Sequence, residues 1–193
     1  MRILRAADRP ATAWKNGGGI TREIASWPED AGPDGFDWRI SLAEVAAGGP
    51  FSAFPGVDRV ITVVDGGGME LTVDGAAHRV AERYRPFGFA GDADTGCRLL
   101  DGPVSDFNVM TRRGRCAAGV EILRAPRPLP VPDDRTVLLL VLFEGRARLG
   151  STVLDRHDAL LTTATGGAGD ASVDFDGGRG VAALVTLHDI TGP

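Results

Sequence analysis

The chain has almost no lysine: Lys15 stands alone against twenty arginines. It also has no glutamine, one tyrosine, two cysteines, and only Asn16 and Asn108 as asparagines in its 193 residues. Each shortage excludes something. With no basic block and a formal net charge of -5, no face is built for polyanions, which argues against nucleic acid and against a membrane surface as partners. The longest purely apolar run, 137–143, falls far short of the ~20 residues a membrane span needs. Residues 1–10 hold no apolar leader core, so a cytoplasmic location is expected. Cys97 and Cys116 form no CxxC pair and are expected to be reduced, with Cys97 a small core residue. His78, His157 and His188 show neither HxH nor HxxxH spacing, so no metal is expected, and no cofactor. No serine sits in a GxSxG elbow, and the glycines at 66–68 lack the Lys-Ser/Thr of a phosphate loop.

What the chain does have is glycine and proline, 27 and 12 of them, cutting it into short apolar runs. That pattern predicts an all-β fold. Residues 36–45 alternate, with Phe36, Trp38, Ile40 and Leu42 on one face and Asp37, Arg39, Ser41 and Ala43 on the other. Strands are expected at 57–64, 69–73, 97–100 and 106–111, with Asp74-Gly75 as a hairpin turn and at most a short turn over 76–85. Pro126, Pro128, Pro130 and Pro132 make 124–135 an extended connector, dividing an N-terminal unit, 1–123, from a C-terminal one, 136–193. Beyond the connector, strands are expected at 136–143, 147–149, 159–163, 171–175 and 181–187. Segment 60–73 resembles 138–149, and 99–111 resembles 173–187, which suits two small antiparallel barrels or sandwiches in tandem.

The stretch from Trp14 to Ile24 draws attention because it holds the only lysine and one of the two asparagines. Gly17 and the two glycines after it let the backbone take positive φ and leave room for a ligand. Period-two alternation puts Arg22 on the face of Ile20 and Ile24. Arg39, Ser41, Arg59, Asp106 and Asn108 lie on strands that otherwise look buried, and Asp106, Asn108 and Met110 share one face. Unpaired charges do not stay in a core. These groups therefore face solvent, pair with one another, or line a ligand site, where arginines suit carboxylates.

These residues fall in motifs that resemble those of the HutD/Ves family: Trp14-Lys-Asn-Gly-Gly-Gly-Ile-Thr-Arg-Glu-Ile24, Phe36-Asp-Trp-Arg-Ile-Ser41, Gly49-Pro-Phe-Ser-Ala-Phe-Pro-Gly-Val-Asp-Arg59 and Leu100-Asp-Gly-Pro-Val-Ser-Asp-Phe-Asn-Val-Met110. The resemblance implies a cupin-like, RmlC-like jelly roll with two β-barrel halves in one chain, a bicupin. It also implies a role in histidine utilisation or stress and a small metabolite held in the first barrel. Where a metal cupin carries His-x-His, this chain has Pro55, Gly56, Val57, Asp58 and Arg59. The expectation is a metal-free bicupin that senses a small carboxylate metabolite, N-formylglutamate or urocanate being the candidates, with a homodimer as the assembly envisaged. The expected ligand-binding set is Trp14, Lys15, Asn16, Gly17, Arg22, Arg39, Ser41, Phe51, Phe54, Arg59, Asp106 and Asn108. Lys15 is expected to reach the barrel mouth as a compact ammonium that arginine cannot replace. The alternative is a cofactor-independent isomerase or hydrolase working by proton transfer, with Glu23, Glu44 or Asp106 as base.

Overall fold

Short strands joined by glycine turns make up nearly all of the computed structural model, which describes residues 1–29, 31–32, 34–166 and 171–191. Helix is limited, among the described residues, to three-residue 3-10 turns at Ala6–Asp8, Ala164–Gly166 and Asp176–Gly178. None is long and apolar enough to cross a membrane. The chain divides into two units, Pro10–Cys116 and a second made of Met1–Arg9 with Ala117–Pro193.

The first unit has a 6-stranded sheet in the order Thr12–Ala13, Gly19–Trp27, Trp38–Val45, Val104–Arg112, Val57–Gly66, Phe87–Ala90. Its 4-stranded sheet runs Gly49–Pro50, Thr95–Leu99, Met69–Val73, Ala76–Val80. Strand alternation turns Ile61, Val63 and Val104 of the first sheet toward Met69, Leu71 and Cys97 of the second, and these residues form one buried cluster. Each such side chain, once buried, contributes roughly 1.5–3 kcal/mol.

The second unit repeats the plan. Its 5-stranded sheet runs Arg2–Leu4, Ala159–Thr163, Thr136–Glu144, Val181–Asp189, Cys116–Leu123, and its 4-stranded sheet runs Arg127–Pro128, Ser172–Phe175, Ala147–Leu149, Thr152–Leu154. Taken in chain order from Trp38–Val45 and from Cys116–Leu123, the strands of the two units occupy the same places in their sheets. Leu138, Leu140, Leu142, Ala182 and Leu184 pack on Ala147, Leu149, Val173 and Phe175. Among the described residues no sheet closes into a barrel, so what was expected as two barrels is seen as two pairs of open sheets.

Several local features differ from expectation, Cys116–Leu123 and Phe87–Ala90 among them as strands not foreseen. Residues Ala76–Val80 form a strand, not a turn; it pairs with Met69–Val73 across Asp74 and Gly75, whose φ values of 47° and 82° match a hairpin turn of the strand's own twist. Being an edge strand with mostly exposed residues, it lacks the apolar alternation that marks its partner. The proline-rich stretch contributes Arg127–Pro128 at the margin of its sheet, where a residue without an N–H is tolerated.

Candidate functional site

The Trp14–Gly19 segment is a hairpin turn, and its residue types explain it. The Trp14 amide donates to the Gly19 carbonyl at 2.9 Å and the Gly17 amide to the Trp14 carbonyl at 3.0 Å. Gly17 takes φ 71°, and the Asn16 Oδ1 accepts from the Gly18 amide at 3.0 Å, as turn asparagines do. A Cβ on Gly19 would overlap the Glu44 carbonyl oxygen and come within 3.2 Å of the Trp14 ring. The turn fixes Trp14, whose Nε1 donates to Thr21 Oγ1 at 2.8 Å. Its ring meets Phe51 edge-on at 6.4 Å.

Beside this hairpin lies a cavity of about 500 Å³ within the first unit. Three neighbouring strands pave its floor in rows. Met110 is opposite both Arg39 and Arg59, Asn108 is opposite Ser41 and Ile61, and Asp106 is opposite Ala43 and Val63. Trp14, Phe51 and Phe54 add apolar wall, while Lys15 and Asn16 sit exposed at its rim. Arg39 is already engaged, its Nε donating to Glu23 Oε2 at 2.5 Å, and Ser26 holds the other Glu23 oxygen at 2.8 Å.

Arg59 is different. It is 6% exposed and its guanidinium lies over the rings of Phe51, Phe54 and Phe89 at 5.2, 5.6 and 5.0 Å. Its Nε has no hydrogen-bond partner. Burial lowers its pKa to about 10, the Asp106 charge pulls it back up, and Arg39 lowers it further. Asp106 is 2% exposed with Oδ1 unpartnered; burial raises its pKa to about 7 against the opposing pull of Arg59. The Asn108 Oδ1 is also buried without a partner. Each such group costs about 1–3 kcal/mol, which makes an unfilled donor and two unfilled acceptors in one cavity an invitation to a ligand.

Trp14, Lys15, Asn16, Arg39, Ser41, Phe51, Phe54, Arg59, Asp106 and Asn108 are thus brought to one cavity. Gly17 and Arg22 do not line it. Arg22 instead pairs with Glu44 on an exposed face. Arg22 shares the face of Ile20 as expected, while the bulge between Glu23 and Ala25 takes Ile24 off it; that face lies opposite Leu42 and Glu44, and the cavity is lined from the other, by Ser41. Lys15 is exposed, so packing does not demand a compact ammonium there. Sequence reasoning passed over Thr12, Thr21, Asp34 and Ile61 in the wall, and Phe89 in the cage around Arg59. Ile61 follows from Arg59 by alternation; nothing in the sequence ties Phe89 to Arg59.

The second unit supplies an internal comparison. Both central strand pairs carry a bulge at the same place, between Ser105 and Asp106 in one and between Leu142 and Glu144 in the other. Aligned on it, Asp106, Asn108 and Arg59 correspond to Ala182, Leu184 and Leu138, all in an apolar core. The architecture therefore does not require polar groups at these positions. Among the described residues, no group of three His, Cys, Asp or Glu is placed to hold a metal.

The model of the HutD family matches residues 6–182. Protein Ves of Cronobacter sakazakii is 40% identical over 172 residues, covering 86% of this chain and 85% of that protein. An uncharacterized 21.2 kDa protein of the hutC 3' region in Pseudomonas putida is 44% identical over 110 residues, which span 57% of this chain and 57% of that relative. HutD from Pseudomonas fluorescens SBW25, solved in a formate condition, superposes with a TM-score of 0.83 at 34% identity over 97% of this chain and 98% of its own. A cupin 2 conserved barrel domain protein from Leptotrichia buccalis, at 9% identity, 92% coverage of each chain and a TM-score of 0.57, shares the fold alone.

Proposed function

From the premise that this chain belongs to the HutD family, we propose that it is a metal-free bicupin whose first unit binds a small carboxylate metabolite and that it serves as a sensor in histidine utilisation or stress metabolism. The family name links the chain to histidine utilisation; the ligand and the sensing role are this proposal. The observation that carries it is Arg59, a buried guanidinium with an unpartnered Nε in a cavity, at a position where the repeated unit has Leu138. A guanidinium so placed wants a planar anion, and a carboxylate offers two oxygens in matching geometry. The aromatic cage leaves the donor edge as its polar outlet. Lys15 at the rim adds positive charge on the approach.

The test is a thermal-shift and calorimetric screen of N-formylglutamate, urocanate and formate. An acid present at a hundred times its Kd stabilises the fold by about 2.7 kcal/mol. No shift with any of the three, set against a folded protein, overturns the proposal.

One observation favours a second reading, a proton-transfer enzyme on the same acid. Asp106, with its pKa near 7, is poised where a general base is most effective. Turnover of a bound acid, followed by NMR and lost in Asp106→Asn while binding persists, would establish that reading; prolonged incubation without a new product would remove it.

A further inference from the structure

Asp106 and Arg59 line one cavity without touching: among the described residues neither an ion pair nor a hydrogen bond joins them, although each feels the other's charge. Asp106 is 2% exposed, and its Oδ1 has no partner. We propose that the site takes up one proton with each acid ligand and that the proton is held on Asp106. This rests on the reading of the cavity as an acid-binding site.

The argument is a count of charge. From the strand Val57–Gly66, Arg59 faces the cavity with one positive charge. From Trp38–Val45, Arg39 is ion-paired with Glu23, so the two together add no net charge. From Thr95–Leu99, Cys97 is a thiol, its pKa pushed up to about 11 by burial first and by Asp106 second, so it stays neutral. On its own strand Asp106 has Asn108, which carries no charge. Lys15 and Asp34 also line the cavity, both exposed to solvent and opposite in sign, so together they leave the count unchanged. Among the described residues, Arg59 is therefore the one buried cation that lines the cavity and can balance a negative charge deep within it. A ligand carboxylate that docks on it takes that balance for itself.

An ionised Asp106 would then be a second, uncompensated carboxylate in the same low-dielectric space, and two carboxylates sharing a site do not both ionise. Protonation removes the repulsion and turns an acceptor with nothing to accept into a donor that can reach the ligand's oxygens. The free carboxyl already titrates near neutrality, so little is needed to keep it protonated in the complex. The proton comes from solvent, and no bond in the ligand changes. The opposite arrangement, a ligand that presents an N–H or ammonium to ionised Asp106, would bind without taking up a proton.

The experiment is calorimetric titration of the full chain with N-formylglutamate, and with formate as a second titrant, at pH 8 and pH 6. At each pH it is run in two buffers of different ionisation enthalpy. Both acids, with pKa values near 4, arrive fully ionised, so any proton taken up belongs to the protein. The expected result is close to one proton per ligand at pH 8 and clearly less at pH 6, with Kd rising up to tenfold per pH unit above about 7. In Asp106→Asn the uptake disappears and Kd becomes flat between pH 6 and 8. Binding at pH 8 with no buffer dependence overturns the proposal, as does equal uptake in the variant. The wild-type measurement decides even if the variant does not fold. Binding of neither acid at either pH fails the acid-binding reading itself, a different outcome from binding without a proton.

Discussion

Arg59 sits in a conflict that only its surroundings resolve, since burial disfavours the charge and three aromatic rings partly offset that cost. Arg59→Gln is expected to keep the fold and to weaken acid binding about 10- to 100-fold, the size of a lost charge-assisted hydrogen bond; titration together with a thermal melt checks both halves. Asp106 has a separate effect on stability. Its folded-state pKa of about 7 lies above the value near 4 of an unfolded aspartate. The folded state thus holds the extra proton between those values, and its stability falls as pH rises through that window. Asp106→Asn removes the dependence, so its melting temperature should exceed that of the wild type at pH 8 and the gap should close toward pH 4. Lys15, exposed at the rim, acts through steering. Lys15→Ala should slow acid association at low salt and lose this effect at high salt, while Lys15→Arg should match the wild type, as stopped-flow measurement can show. At this scale the sequence was informative wherever a polar residue broke an apolar strand, as Arg59, Asp106 and Asn108 do. It misplaced Arg22, because which face of a strand meets the cavity depends on its pairing partners, and these leave no mark on the strand's own residues.

The hairpin at Trp14–Gly19 is the element on which the cavity wall depends, and Gly19 is its tightest point. Gly19→Ala must displace either the Glu44 carbonyl or the Trp14 ring. It is expected to cost about 1–3 kcal/mol and to alter Trp14 fluorescence, whereas Gly96→Ala, with open space around its Cβ, should fall within about 0.5 kcal/mol of the wild type. Elements bounded by turn residues were legible to the residue, Met69–Val73 and Ala147–Leu149 among them. Those without a clear apolar alternation were not: Ala76–Val80 shows a buried residue only at its end, and the exposed positions of Cys116–Leu123 are held by Ala117, Gly119 and Glu121. Their pairing is imposed by neighbouring strands, which no local window contains.

For the whole molecule, a polar cavity that lies within the first of two units predicts that a bound acid protects only part of the chain. Hydrogen exchange should slow within Pro10–Cys116 and stay unchanged in Ala117–Pro193, the unit whose matching positions are apolar. The tandem plan was faintly legible in the sequence, through the likeness of 60–73 to 138–149, but the apolar filling of the matching positions in the second unit was not, because the correspondence depends on where each strand bulges. The strand Arg2–Leu4 pairs with Ala159–Thr163, and this sets a timetable for synthesis. Residues 2–4 leave the ribosome well before residue 161 and its neighbours, with which they pair. The first unit, complete at Cys116, can close around its cavity while the leading strand still waits. A bulky tag fused ahead of Met1 would therefore trouble the half of the molecule that is finished last and spare the half that holds the site.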